Sequence, residues 1–366
     1  MKNKFALLVF VFCCKLVFAQ QNDSLLKDVN GLTVRAHYGF FIAHRYSILH
    51  MSNAHFPMLE LNYNIQTIGS DNWKKHYYYP TYGIGYNICN AGNKQLLGTT
   101  QALYPYINFN YVKKNKLALI FRLGVGLGSV EKPFNRLTNH SNTTISTRLN
   151  AYVNLGQDIN FKINNRSNFT FGIQFHHQSN GAFKVPNLGI NLVTLATGYT
   201  YYFNDLPKQL TYKKDTSKFK SFNEYIITAG GFVKEIYPIQ GPKYPVFITS
   251  INGFRRFSEK GKWGVGIDFM HNAAIRQYLI KDDDITNDDA SITQIGTTLS
   301  YEVVVSKISF PIQLGYYAFS KYKADGPIYQ RIGIRYNIYK NLLFSIMLRT
   351  HYAKAECTEW CLGYKF

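Results

Sequence analysis

Between Thr143 and Lys162 the chain sorts its residues by parity. Ile145, Leu149, Ala151, Val153, Leu155, Ile159 and Phe161 fall on one set of positions, and Arg148, Asn150, Asn154, Asp158, Asn160 and Lys162 on the other. A period of two belongs to an extended strand, whose successive side chains leave on opposite faces. A helix would scatter the same residues around its axis, so this segment is a long strand with one apolar and one polar face.

Comparable segments recur roughly every 15 to 25 residues, a spacing typical of all-β architectures. They lie near 32–46, 56–68, 78–89, 102–112, 116–130, 142–162, 168–179, 189–203, 222–236, 245–257, 262–272, 292–305, 307–319, 327–339, 341–352 and 357–366, sixteen in all. The supply of 29 Tyr and 27 Phe suits strands. After the first nineteen residues no run of about eighteen apolar residues appears, which excludes a helical membrane protein. A soluble sandwich would bury its apolar faces between two sheets, whereas a membrane barrel turns them to lipid and its polar faces to the lumen. Strands of this length favour an antiparallel transmembrane β-barrel of about 16 strands, built from two eight-stranded halves. A single barrel is the preferred closure, and two tandem eight-stranded barrels are the alternative.

Charge and cysteine usage narrow the class further. The formal charge is +20, with 41 Lys and Arg against 21 Asp and Glu. The basic residues are scattered among apolar strands instead of gathering on a helix or a zinc module, so an anionic membrane surface is the expected partner and nucleic acid is not. Cys357 and Cys361 would stand roughly 13 Å apart in a strand, too far for a bridge, and neither they nor Cys89 form a zinc pattern.

Four regions follow along the chain. Residues 1–19 have the form of a secretory signal, with Lys2 and Lys4 before an apolar stretch and Val17, Phe18 and Ala19 at the cleavage site. Residues 20–203 form the first barrel half, 204–221 a lysine-rich linker, and 222–366 the second half. Residues 281–291 are acidic and dense in oxygen ligands, but lack the glycine and glutamate spacing of an EF-hand, so a solvated loop is expected there. Tyr77, Tyr78, Tyr79, Tyr316 and Tyr317 are expected in interfacial aromatic girdles. Leu123 to Gly128 alternate with glycine inside a strand, where the glycines are expected to serve curvature or close packing, since no helix follows as a nucleotide loop requires.

One strand carries polar groups on its lipid-facing row. Phe169, Phe171, Ile173 and Phe175 are followed in the same parity by His177 and Ser179. An ionisable group facing lipid is costly and is a functional candidate by default. Two residues apart on one face, their Cα atoms are separated by roughly 6.6 Å, which lets the imidazole lean toward the hydroxyl as a base does toward a serine nucleophile. Asn191 opens the outward row of the next strand and is placed to hold the other imidazole nitrogen. His176, of opposite parity, faces the lumen, as do Glu60, Asp158 and His351, the last grouped with Glu356 and Glu359.

The longer pattern FHHQSNGAFKVPNLGIN, residues 175–191, resembles the active-site segment of lipid A 3-O-deacylases of the PagL type and of the larger Bacteroidetes-type acyloxyacyl hydrolase-like proteins. The resemblance to the small enzymes spans about residues 32–204. The C-terminal stretch from Tyr329 to Phe366 resembles the larger members, and Trp360, Leu362, Tyr364 and Phe366 resemble the last-strand signal through which the barrel-assembly machinery recognises outer-membrane barrels. The resemblance implies an outer-membrane serine esterase acting on lipid A of lipopolysaccharide without metal or cofactor. It assigns His177 as base, Ser179 as nucleophile, and Asn187, with Asn180 or the amide around Gly181, to the oxyanion hole.

The chain departs from the small enzymes at one point. They carry a glutamate twelve residues after the serine, and here Asn191 stands in that place. An asparagine accepts a hydrogen bond from imidazole but does not offset the charge of an imidazolium. Replacing the acid by asparagine in a serine triad lowers turnover by about 10⁴ through the wrong tautomer. The alternative function is therefore a catalytically inactive barrel, serving as a channel or a structural lipid-binding protein, and a soluble secreted binding protein stands third.

Overall fold

The computed structural model describes residues 27–69, 71–114, 116–207, 219–281, 292–352 and 354–366. The signal at 1–19, most of the lysine-rich linker and the acidic loop lie outside these residues. The first eight strands are β1 (Val29–Phe41), β2 (Phe56–Gln66), β3 (Thr81–Cys89), β4 (Thr100–Lys113), β5 (Leu117–Val130), β6 (Leu149–Lys162), β7 (Ser167–Ser179) and β8 (Ile190–Tyr202). The second eight are β9 (Phe222–Glu235), β10 (Lys243–Arg256), β11 (Gly261–Asn272), β12 (Thr293–Val305), β13 (Ile308–Ser320), β14 (Ile328–Tyr339), β15 (Leu342–His351) and β16 (Lys354–Lys365). All sixteen segments read from the alternation are strands.

Each set of eight closes on itself: β1 pairs with β8 and β9 with β16, so two barrels form and the single sixteen-strand closure does not. The seam of the first barrel runs from Gly31 opposite Tyr202 to Phe41 opposite Leu192. Glycine is needed there because a Cβ at Gly31 would lie 2.6 Å from the Tyr201 carbonyl oxygen. The chain divides into two compact units. One is built on the first barrel, and the other on the second barrel together with residues 143–147 and 179–188.

The burial pattern follows the sequence parity. β1 alternates strictly between buried and exposed, and its exposed row includes Leu32, Val34, Tyr38 and Phe40. Phe169, Phe171 and Ile173 continue this apolar surface on β7, and Trp360, Leu362 and Tyr364 carry one on β16 of the second barrel. Among the described residues no helix is long and apolar enough to cross a membrane. The apolar band is made by strands, as in membrane barrels.

Eight strands enclose a space that side chains fill, and here the filling is polar. In the first barrel Glu60 receives the Tyr104 hydroxyl at 2.8 Å and lies 3.2 Å from Arg122 and 3.9 Å from Arg35, which reaches Asp158 at 2.7 Å. In the second, Arg331 joins Asp268 at 3.1 Å to Glu359 at 2.7 Å, and Arg349 lies 3.1 Å from Glu356. Apart from Arg35–Glu60 and Arg349–Glu356, which join adjacent strands, these contacts tie together strands that are not neighbours around the cylinder. Gly124 and Gly128 of β5 face this interior, where a Cβ would meet the Tyr104 ring and the Gln178 amide at 2.6 and 2.5 Å. The glycine alternation is therefore a packing device.

Two sequence expectations are corrected. The strand expected from residue 142 begins at Leu149, because β5 supplies partners only to Val130, and Ile145 is fully buried outside the strand. Tyr79 and Tyr317 are not girdle residues. Tyr79 lines a cavity of about 450 Å³ in the first barrel, and Tyr317 bonds to His351 at 3.0 Å inside the second. Tyr79 sits in the turn before β3, where strand parity does not apply, and Tyr317 follows Tyr316 in the regular alternation of β13, so that only Tyr316 of that pair faces outward.

Candidate active site

The two ends of the first barrel differ. At one end the connections 114–116 and 163–166 are tight and only 67–80 is long, whereas 42–55, 90–99, 131–148 and 180–189 at the other are all long. Strand β7 runs toward the long-loop end, and its last outward positions are His177 and Ser179. The outward row from Phe169 to Phe175 thus passes from lipid-facing aromatics to a polar pair at the loop end.

His177 pairs in register with Asn191 of β8, so the two side chains leave on the same face. The imidazole Nδ1 lies 2.6 Å from Asn191 Oδ1. An amide oxygen only accepts, so Nδ1 carries the proton and Nε2 is left as the basic nitrogen. Gly189, at φ +84°, lies under the ring, and a Cβ there would stand 2.9 Å from His177 Cε1. Ser179 is buried, and among the described residues its hydroxyl has no hydrogen-bond partner.

The connection after Ser179 is held by its own amides. The Asn180 side-chain nitrogen lies within 3.2 Å of the hydroxyls of Ser146 and Thr147 and 2.9 Å from the Lys184 carbonyl. The Asn180 backbone N–H donates to Asn187 Oδ1 at 3.0 Å. Both kinds of Asn180 donor are therefore committed to the loop. With its oxygen anchored, the Asn187 amide turns its Nδ2 away, and among the described residues neither that group nor the Gly181 N–H has an acceptor.

The lumenal residues stay apart from this group. His176 bonds to the Tyr152 hydroxyl at 2.6 Å, while Glu60 and Asp158 pair with arginines inside the barrel. His351 lies 3.4 Å from Glu356 in the second barrel. One neighbour escaped sequence reasoning: His44, in the loop after β1, places its Nδ1 2.9 Å from Asn191 Nδ2. It comes 147 positions before Asn191, and a lone loop histidine carries no signal that would have found it. Among the described residues no group of histidine, cysteine and carboxylate side chains is placed to hold a metal ion.

Closed antiparallel strands, an apolar outer surface and a cross-linked polar lumen define a transmembrane β-barrel of the outer-membrane type, here with polar groups set on its lipid side. The chain belongs to the lipid A 3-O-deacylase (PagL) and acyloxyacyl hydrolase family: the model for the deacylase matches residues 58–200, and that for the acyloxyacyl hydrolase C-terminal domain matches 223–366. Each match falls on one barrel, and together they take in most of the chain. The descriptions of both models are of hydrolases, and that of the first names lipid A as the substrate.

Among solved structures, the Neisserial surface protein A is similar at 9% identity and a TM-score of 0.33, over 48% of this chain and 97% of its own. The outer membrane enzyme PagL is similar at 15% identity and a TM-score of 0.31, over 45% and 97%. A Rhodopseudomonas blastica porin variant follows at 11% and 0.20, over 92% and 99%. No curated protein matches the sequence.

Proposed function

We propose that the protein is a serine esterase that removes an ester-linked acyl chain from lipid A at the outer, lipid-facing surface of its first barrel. The observation that carries this reading is the 2.6 Å contact between His177 Nδ1 and Asn191 Oδ1, which leaves Nε2 as a base on the face that also bears Ser179. Ser179 Oγ attacks the ester carbonyl carbon while His177 Nε2 takes the hydroxyl proton. The carbonyl oxygen, now negative, is held by Asn187 Nδ2 and the Gly181 N–H, while Asn180 supports the loop and does not itself donate. Collapse breaks the bond to the sugar oxygen, which leaves with the proton from His177. Water, deprotonated by the same nitrogen, then frees the fatty acid from the serine.

Arg45, Lys94, Lys132, Arg136 and Arg148 lie in the long-loop connections of the first barrel or at their edge. They supply charge-assisted contacts for lipid A phosphates, so lipopolysaccharide is the partner. In this reading residues 1–19 direct export, 204–221 link the two barrels, and the alternating aromatics from Trp360 to Phe366 present the chain to the barrel-assembly machinery. The chemistry uses side chains and backbone amides alone, without metal or cofactor.

The test is mass spectrometry of lipid A incubated with the purified protein and with Ser179→Ala. Fatty acid released by the parent and lost in the variant is the expected result. Equal release by both, or none by the parent, overturns the reading. Conductance across a planar bilayer that is indifferent to Ser179→Ala would support a channel instead, an outcome that the side chains tied across both lumens oppose.

A further inference from the structure

We propose that His44 is a positioning residue that fixes which way the Asn191 amide faces and thereby keeps His177 in its basic tautomer. The proposal rests on the esterase reading above. An asparagine in the third position of a triad is ambiguous, because its two ends have nearly the same shape and opposite hydrogen-bonding character. With Oδ1 toward His177, the ring carries its proton on Nδ1 and offers Nε2 to Ser179. Turned over, the amide would present Nδ2, require a lone pair at Nδ1 and leave the proton on Nε2, where it blocks the base. That is the fault that makes asparagine a poor substitute for the acid in serine proteases.

His44 acts on the other end of the amide. Its Nδ1 lies 2.9 Å from Asn191 Nδ2 while Asn191 Oδ1 lies 2.6 Å from His177 Nδ1. Nδ2 has only protons to give, so His44 Nδ1 accepts and the His44 proton sits on Nε2. Reversing the amide would set Oδ1 against the His44 lone pair, and the His44 ring would have to change tautomer as well. The backbone holds the loop in place for this. The Ile42 N–H donates to the Asn191 carbonyl at 2.8 Å, two residues before His44. His44 itself is exposed and takes no part in the barrel interior.

A carboxylate at position 191 has two equivalent oxygens and needs no such orientation, which gives the test its control. His44→Ala, His44→Gln and His44→Lys are compared in the parent and in Asn191→Asp, with kcat and KM measured on lipid A micelles. Folding is checked by heat modifiability on gels. In the parent, His44→Ala is expected to lower kcat about tenfold, the scale of one neutral hydrogen bond, with KM little changed. His44→Gln, which restores an acceptor, recovers activity. His44→Lys, which only donates and so favours the reversed amide, loses more than His44→Ala.

In Asn191→Asp all three changes are expected to be nearly silent. Equal losses in both backgrounds, or none in the parent, overturn the proposal. If the parent releases no fatty acid, the esterase reading fails, yet the imidazole ¹⁵N shifts of His177 still decide the positioning role. A proton on Nδ1 in the parent that moves to Nε2 in His44→Lys sustains it, and an unchanged tautomer sinks it.

Discussion

Gly189→Ala tests the geometry under His177 with a single methyl group. Gly189 has φ +84°, where a side chain costs about 1–2 kcal/mol for an L-residue. The added Cβ would stand 2.9 Å from His177 Cε1, whereas carbon atoms settle at about 3.5 Å or more. The ring must therefore retreat by about 0.6 Å. Its Nδ1 has little freedom because it is fixed 2.6 Å from Asn191 Oδ1, so the displacement appears at Nε2, the nitrogen that the proposed esterase mechanism uses as base. Since a misplacement of about 1 Å costs on the order of 10² in rate, about tenfold in kcat is expected. Stability should fall by about 1–2 kcal/mol with the barrel still closed. Steady-state release of fatty acid from lipid A micelles, with urea unfolding from vesicles alongside, reads both quantities. A folded Gly189→Ala protein with unchanged kcat would refute the idea that this glycine holds the imidazole in place.

Two further outcomes probe the barrel itself. Glu60→Gln leaves Arg122 and Arg35 without the carboxylate they flank at 3.2 and 3.9 Å in the barrel interior, where all three side chains are buried, and is expected to cost about 3–5 kcal/mol. A change in urea unfolding free energy below about 1 kcal/mol would show that the lumenal network tolerates the loss. Ile173→Arg places a charge on the lipid-facing row of β7, where Ile173 is 55% exposed. It should destabilise vesicle-embedded protein by about 2–4 kcal/mol, and an unaltered unfolding curve would mean that this face does not meet hydrocarbon.

The candidate site was legible in part. The shared outward face of His177, Ser179 and Asn191 was legible because strand parity is a local property: once His177 follows Phe171, Ile173 and Phe175 in one row, its face is fixed. The register of β7 against β8, with His177 opposite Asn191, then needed only a single loop between neighbouring strands. The committed donors of Asn180 were not legible, because Ser146 and Thr147 reach them from more than thirty residues away. His44 was hidden for the same reason.

What the order of residues determined by itself is the set of sixteen strands and the face that each turns outward, since both follow from a two-residue period that needs no knowledge of distant partners. What only the tertiary structure decided is how those strands close. One barrel of sixteen and two of eight share every hairpin pairing within each half. They differ only in whether β8 joins β9 and β16 joins β1, or each half returns to its own first strand, as it does here. That choice is made between strand edges far apart in sequence, where hydrogen bonds between backbones carry no side-chain pattern to read. The same long-range closure brings β1 and its loop beside β8, and so places His44 against Asn191.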